Sequence, residues 1–384
     1  MIIRSTILIM SLLFLAGMTG RALAQPQPVP RLTERRLDKA SYVELAKQWK
    51  RYIEEQGETA DALVNLGMAY DYSEELDAAI AAARRAVEVD PNNPKALRFL
   101  GKMLTTYVND QEGALEILNR CREVAPDHEP GLSLLASVHM RRGELDDADQ
   151  VFNTIFQQRV IAAPLQDYAY NMLVGLPKGA VLITGGDNDT FAPLALQAGM
   201  EFRTDVVVIN RSLLNVPGYA KAIFARHPKI APAYDIDGHE TTQTLEGRIN
   251  LLSTTLLEKM IERKKASVYF AATANNEQHG FKPEGVIEGI NLRTGPRGLT
   301  PEAAARLTID TYRMDSVTDW NFPWSLTPTL SLLMRNYVSA MVKLAEQDSV
   351  EEETRRRLLD EAYGIAEFHD FGRVMSYIKS LQKR

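Results

Sequence analysis

A helical solenoid followed by an α/β unit is the fold class this sequence predicts, and three observations predict it. From Ala60 the chain repeats itself at a period of 34 residues. Beyond residue 165, short runs that are apolar at every position alternate with amphipathic stretches. From Pro301 to the end, only helical periodicity remains. Repeats of this length are two-helix units that bury their faces by stacking on one another. Strands apolar throughout belong to a parallel sheet covered on both faces. The composition is that of an ordinary globular chain, with 384 residues, 45% hydrophobic and 24% charged. That excludes a disordered tail, a collagen-like fibre and a disulfide-stapled miniprotein. A net charge of −6 provides no dense basic field, so no nucleic-acid partner is expected.

The first 24 residues read as a leader outside the fold. Arg4 supplies a basic start, Ile7 to Gly17 an apolar run, and Ala22-Leu23-Ala24 a small-residue exit, the layout of a secretory signal peptide. The apolar run is shorter than the roughly 20 residues that span a bilayer. Cleavage and export to the periplasm or medium are therefore expected. Removing 24 of 384 residues leaves 360 and takes away Arg4 and Arg21, moving the net charge from −6 to −8. No later stretch is long enough to cross a membrane. The single cysteine, Cys121, excludes an intramolecular disulfide and falls where a repeat helix takes a small buried residue. Residues 25–40 form a Pro-rich linker, and Gln25 to Pro30 reads as an extended tether.

The helical array is expected over 41–163. A leading helix from about Ser41 places Tyr42, Leu45, Trp49 and Tyr52 on one stripe. The first full unit carries Leu63, Leu66, Gly67, Tyr70, Ala79, Ala86 and Pro91. The second carries Leu97, Leu100, Gly101, Leu104, Ala114, Cys121 and Pro126, with one extra residue in its inter-helix turn. The third carries Leu132, Leu135, Ala136, His139, Ala148, Phe152 and Ile155. In period and in its alternation of small and large residues, the stretch 60–160 resembles the tetratricopeptide repeat family. That resemblance implies a concave face that docks a protein or peptide. Lys95, Arg98 and Lys102 fall on one stripe of one helix, and Arg141 extends it from the next unit. The stripe is either a solvated face or a groove for an acidic partner. Val64 and Met68 stand where some family members carry the polar residues of a carboxylate clamp.

An α/β domain is expected over 165–295, with the helices of 300–384 packed on it. Buried strands are predicted at Ala180–Thr184, Asp205–Asn210 and Ser267–Thr273, and a fourth at Val286–Leu292. Helices are predicted at Phe191–Gly199, Lys221–Arg226 and Leu245–Lys265. The alternation predicts a Rossmann-like domain with a mostly parallel sheet and a helical C-terminus. Ligands bind such sheets outside the carboxyl ends of the strands. Gly185, Gly186, Asp187, Asn188, Asp189 and Thr190 leave the first strand there. Asn210, Arg211 and Ser212 end the second, and Thr273 and Asn275 the third. Asp187 and Asp189 read either as ligands for a divalent cation, the one cofactor this pattern would take, or as turn and cap residues. Arg211 would then meet an anionic group or pair with one of them. His239 has no second imidazole at ligand spacing. Trp320, Phe322 and Trp324 around Pro323 are expected to anchor neighbouring helices rather than to stack on a sugar.

The block Gly186 to Phe191, the strand Asp205–Asn210, Ser212 to Asn215, Val268 to Ala271 and Arg335 to Tyr337 are similar to the soluble C-terminal region of bacterial mannosyltransferase-like multi-spanning membrane proteins. That resemblance, over about 178–345, implies an envelope setting. It carries no catalytic residues, because sugar transfer in that family is attributed to the membrane portion. The function expected is therefore an exported binding or scaffold protein of the cell envelope. It would dock a partner in the repeat groove and a small or glycan-related ligand at Gly186, Asp187, Asn188, Asp189, Thr190, Asn210, Arg211 and Thr273. The alternative is a metal-dependent transferase or hydrolase acting on a phosphorylated or nucleotide-linked sugar through Asp187 and Asp189.

Overall fold

The computed structural model describes residues 24–31, 35–243, 249–274, 281–295 and 298–383. The first 23 residues of the expected leader, Asn275 and the start of the helix expected from Leu245 lie outside the described residues. Two compact units emerge, one ending at Asp110 and one beginning at Gln111.

The first unit is a run of antiparallel helices: α1 (Lys39–Gln56), α2 (Ala60–Tyr72), α3 (Leu76–Val89) and α4 (Pro94–Met103). Side-chain oxygens of Asp38, Thr59 and Asn93 accept backbone N–H groups three residues on and start α1, α2 and α4. The buried face of α3 is all alanine: Ala79, Ala82, Ala83 and Ala86. Gly67 gives Phe99 room, since a Cβ there would lie 2.5 Å from the ring. The extra residue of the second repeat is absorbed by a π-turn at Leu104–Val108, closed by Asn109 in the left-handed region. The Pro-rich segment forms neither helix nor strand, and it is no free tether. Trp49 Nε1 donates to the Gln27 carbonyl (3.1 Å), Val29 N–H donates to Asn65 Oδ1 (2.8 Å), and Val29 is buried.

The second unit opens with α5 (Gln111–Val124), α6 (Glu129–Arg142) and α7 (Leu145–Gln157), followed by α8 (Ala163–Val174). The third repeat thus belongs to the same compact unit as the sheet, whereas the sequence places a boundary after it. The reason is packing. Phe152 of α7 meets Phe191 at 5.5 Å between centroids, and Gly199 leaves the space that the Phe156 ring fills. Arg226 adds ion pairs to Asp146 and Asp149. Cys121 is buried on α5.

The remaining elements are β1 (Val181–Thr184), α9 (Asp187–Met200), β2 (Val207–Asn210), α10 (Pro217–Arg226), β3 (Thr242–Gln243), β4 (Ile249–Asn250), α11 (Leu252–Arg263), β5 (Val268–Ala271), β6 (Val286–Glu288) and β7 (Asn291–Arg293). Four helices close the chain: α12 (Pro301–Asp310), α13 (Pro328–Ala345), α14 (Glu352–Phe368) and α15 (Gly372–Leu381). The main sheet has the order β2-β1-β5-β7-β6. Its first three strands are parallel, with Val181 opposite Val207 and Val268, but β7 and β6 run antiparallel. The sheet is therefore mixed, not the mostly parallel Rossmann-like sheet expected. Only Gly289 and Ile290 separate β6 from β7, and Gly289 has φ of +60°. Two residues make a hairpin, whereas a parallel connection needs a dozen or more.

The core of this unit lies between the sheet and the C-terminal helices. Tyr337 of α13 is its centre, fully buried, packed on Tyr168 and accepting a hydrogen bond from Asn171 Nδ2 (2.7 Å). No helix among the described residues is long and apolar enough to cross a membrane.

Candidate functional site

The carboxyl ends of the parallel strands bring together most of the residues nominated from the sequence. The chain leaves β1 for β2 on one side and later returns to β5 on the other, so β1 is the point where strand order reverses. The residues expected to form a loop, Asp187 to Thr190, are instead the first turn of α9, and Gly186 is its N-cap. Asp189 reaches back from the third helical position. Its Oδ1 accepts the Gly186 N–H and its Oδ2 the Gly185 N–H, each at 2.7 Å, and Oδ2 also takes the Thr273 hydroxyl. This is the acidic half of a capping box, extended to tie β1 to the end of β5. Gly185 permits the close approach, since a Cβ there would lie 2.9 Å from the Thr273 carbonyl oxygen.

The neutral members bond one another in the same way. Thr190 donates to the Gly186 carbonyl (2.5 Å), accepts from Asn210 Nδ2 (3.0 Å), and lies 2.7 Å from the Thr184 hydroxyl. Asn210 also accepts the Leu213 N–H, which fixes the turn after β2. Thr184, Asp189, Thr190 and Asn210 are all buried, and burial pushes the Asp189 carboxyl above its usual range. Arg211 is buried too, donating to the Ala274 and Phe281 carbonyls at 3.1 Å each and lying over the Phe281 ring. Desolvation lowers its pKa.

The sequence reading thus located a real convergence of polar groups, but the structure turns it inward. Asp187 and Asn188 stay exposed while Asp189 is buried, so the Asp-x-Asp pair points two ways. A cation on Asp189 would meet oxygens that already accept three donors. Among the described residues, the group with the spacing for a metal is His139, Glu144 and Asp147. There Glu144 already pairs with Arg142 (2.6 Å) and His139 (2.9 Å). His239 is likewise engaged, with Nδ1 2.7 Å from the Tyr234 hydroxyl and Nε2 3.2 Å from the Asn250 carbonyl.

In the first unit the basic stripe is largely neutralised. Lys95 pairs with Asp61 at 2.7 Å, and Lys102 pairs with Asp71 at 2.5 Å while lying over the Tyr72 ring. The Tyr107 hydroxyl donates to the other Asp71 oxygen (2.7 Å), and burial together with Asp71 pushes its pKa up to about 12. Arg98 is half-buried. Arg141 lies on α6, in the second unit. The electrostatic case for an acidic partner at Lys95 and Lys102 therefore falls. Each lysine faces a carboxylate of the preceding repeat.

Two features escaped the sequence reading. Tyr269, Glu288 and Arg293 form a buried polar cluster on the antiparallel side of the sheet, with the Tyr269 hydroxyl donating to Glu288 at 2.8 Å. The aromatic segment at 320–324 is not a core anchor throughout, because Trp320 is 84% exposed. The dense run of aromatics and proline was the available signal.

Comparison with known proteins adds two family matches. Residues 60–93, which are α2, α3 and the turn that follows, match the tetratricopeptide repeat. Residues 165–244, from α8 to β3, match TMEM260-associated domain 2. No curated protein matches the chain. The crystal structure of MamA is similar over 51% of this chain and 98% of its own, at 16% identity and a TM-score of 0.32, too loose to carry an argument. The mannosyltransferase-like resemblance finds no support in these matches. A tetratricopeptide repeat is present, and such repeats imply a protein partner.

Proposed function

We propose that this protein is an exported scaffold of the cell envelope that docks another protein through its repeat helices. The observation that carries the reading is the 60–93 repeat, built as the antiparallel pair α2 and α3 and continued by α4. Stacked two-helix units present an extended face without needing a catalytic set. The export limb rests on the leader-like pattern of Arg4, Ile7 to Gly17 and Ala22 to Ala24. The proposal does not extend to the edge of the sheet, whose polar groups bond one another.

The charge pairs reshape the partner expected. A groove with Lys95 and Lys102 matched by Asp61 and Asp71 favours a mixed or neutral peptide surface over an acidic one. A photo-crosslinking residue placed at Lys95, on α4, should trap a partner in cells. The same residue at Glu88, on the outward side of α3, should not. Equal trapping at both positions, or none at either, would remove the docking reading. Export is read separately by fusing residues 1–30 to a reporter enzyme active only outside the cytoplasm. An inactive fusion would remove that limb alone.

A further inference from the structure

The segment joining α12 to α13, with the first turns of α13, leaves apolar surface in solvent that a core anchor would hide. Trp320 is 84% exposed, Leu326 69% and Leu332 53%, the three highest values for large apolar side chains among the described residues. Clustered within 13 positions, they differ from the scattered exposed residues that any surface carries.

The surroundings of Trp320 are fixed. Its ring meets Phe368 edge to face at 4.5 Å between centroids. Phe368 touches Trp324 and His369 in turn. Trp324 is held by its indole N–H, which donates to the Asp319 carbonyl at 2.9 Å. The Val317 carbonyl can only accept, so His369 carries its proton on Nε2 (2.8 Å) and accepts from the Ser331 hydroxyl on Nδ1 (2.9 Å). Against this framework the Trp320 indole N–H has no hydrogen-bond partner among the described residues. Arg335 lies over the Phe371 ring at 4.9 Å and makes no ion pair among them. These side chains line an open depression of about 700 Å³, with Asp370 also on its wall.

We propose that this depression docks an extended, proline-bearing peptide flanked by one acidic and one basic side chain. A polyproline helix has no internal hydrogen bonds and turns its carbonyls outward. It is recognised by aromatic ridges that take its rings and by donors that meet its carbonyls. Trp320, Phe322 and Phe368 supply the ridges, and the Trp320 indole supplies the donor. The molecule already displays this chemistry elsewhere, where the Trp49 indole donates to the Gln27 carbonyl of its own Gln25–Pro30 segment. Arg335 and Asp370 do not pair with each other, so an occupant meets one charge of each sign and takes a single direction. A glycan fits less well, because the Ser331 hydroxyl and His369 ring, which would meet sugar hydroxyls, are bonded to each other.

The test uses the full chain with its three tryptophans replaced by 5-fluorotryptophan. The probe is a synthetic polyproline decapeptide with aspartate at one end and lysine at the other, in both orders. One order should shift the Trp320 fluorine resonance saturably and leave that of Trp49 unmoved. Followed by the resonance of Trp324, which also lines the depression, Trp320→Ala and Arg335→Glu should each weaken binding about tenfold. Lysine in place of the peptide's aspartate should restore binding to Arg335→Glu, a rescue that a folding defect would not give. The proposal fails if neither peptide moves the Trp320 resonance, or if both variants bind as the parent does. A maltooligosaccharide or an anionic lipid vesicle that moves this resonance when the peptides do not would also overturn it. Because Trp320 lies outside the repeats, these outcomes are independent of crosslinking at Lys95.

Discussion

The turn after β1 and the segment before α13 carry similar numbers of functional-looking side chains, yet they fold in opposite senses. Around β1, Asp189, Thr190, Asn210 and Thr273 reach one another, and few polar atoms are left over. Before α13 and on its first turns, Trp320 and Arg335 rest on aromatic rings and face solvent. The difference teaches that buried polar groups of a stable fold are normally bonded to each other, so polar convergence alone is weak evidence of a ligand site. An exposed apolar cluster held in place is the rarer observation, and it is the one that needs an occupant to explain it.

Pairs of substitutions can break that comparison, and the largest effect is expected at Asp189. Asp189→Ala strands the N–H groups of Gly185 and Gly186 and the Thr273 hydroxyl. That should destabilise the fold by about 3 kcal/mol. Asp187→Ala, two residues away and exposed, should change stability by no more than about 0.5–1 kcal/mol. Urea unfolding followed by circular dichroism measures both. Equal small effects would mean that Asp189 is held for something other than the fold.

The aromatic segment gives the next contrast. Trp324 packs against the core and has its indole bonded, so Trp324→Ala should cost about 2 kcal/mol. Trp320→Ala should lie within about 0.5 kcal/mol of the parent, because little of that ring is buried. A large loss at Trp320 would turn it back into a structural residue. The repeat stripe gives a third and smaller contrast. Lys102→Met leaves the buried Asp71 carboxylate without its cation and should cost about 1–2 kcal/mol, whereas Lys95→Met breaks an exposed pair and should cost under about 0.5 kcal/mol. Thermal melts of the two variants order them.

What the sequence shows of this fold follows from how local each signal is. The repeat helices are legible because each rests on apolar periodicity and caps within a few residues, as at Asp38, Thr59 and Asn93. The hairpin of β6 and β7 was hidden because Val286, Ile287, Ile290 and Leu292 spread apolar residues over the whole stretch, and one glycine decides between a single strand and a turn. The role of Asp189 depends on Thr273, 84 residues away, which no local pattern connects. The neutralised stripe left a trace that could have been read. Asp61 and Lys95 stand one repeat period apart, and stacking sets such positions side by side. The exposure of Trp320 left none beyond its composition, since burial depends on which helices arrive to cover it.

The smallest effect concerns a bonded pair that reaches the surface. Arg203 closes on Asp205 at 2.8 Å and also holds the Leu173 carbonyl (2.7 Å), while Asp205 accepts the Gly179 N–H. This clasp joins the loop before β1 to the loop before β2. The Arg203 hydrogen bond, first among its causes, lowers the Asp205 pKa from 3.8 to about 2. A carboxylate whose folded pKa is depressed binds its proton more readily when unfolded, so its stabilisation is present above pH 3.8 and is lost as the pH falls through about 2. Asp205→Asn should therefore lower stability near neutral pH and flatten the acid limb between those values. The difference between parent and variant unfolding midpoints isolates this group from other carboxylates titrating in the same range. A difference that stays constant from pH 6 down to 2 would mean that the clasp holds through packing and neutral hydrogen bonds, not through charge.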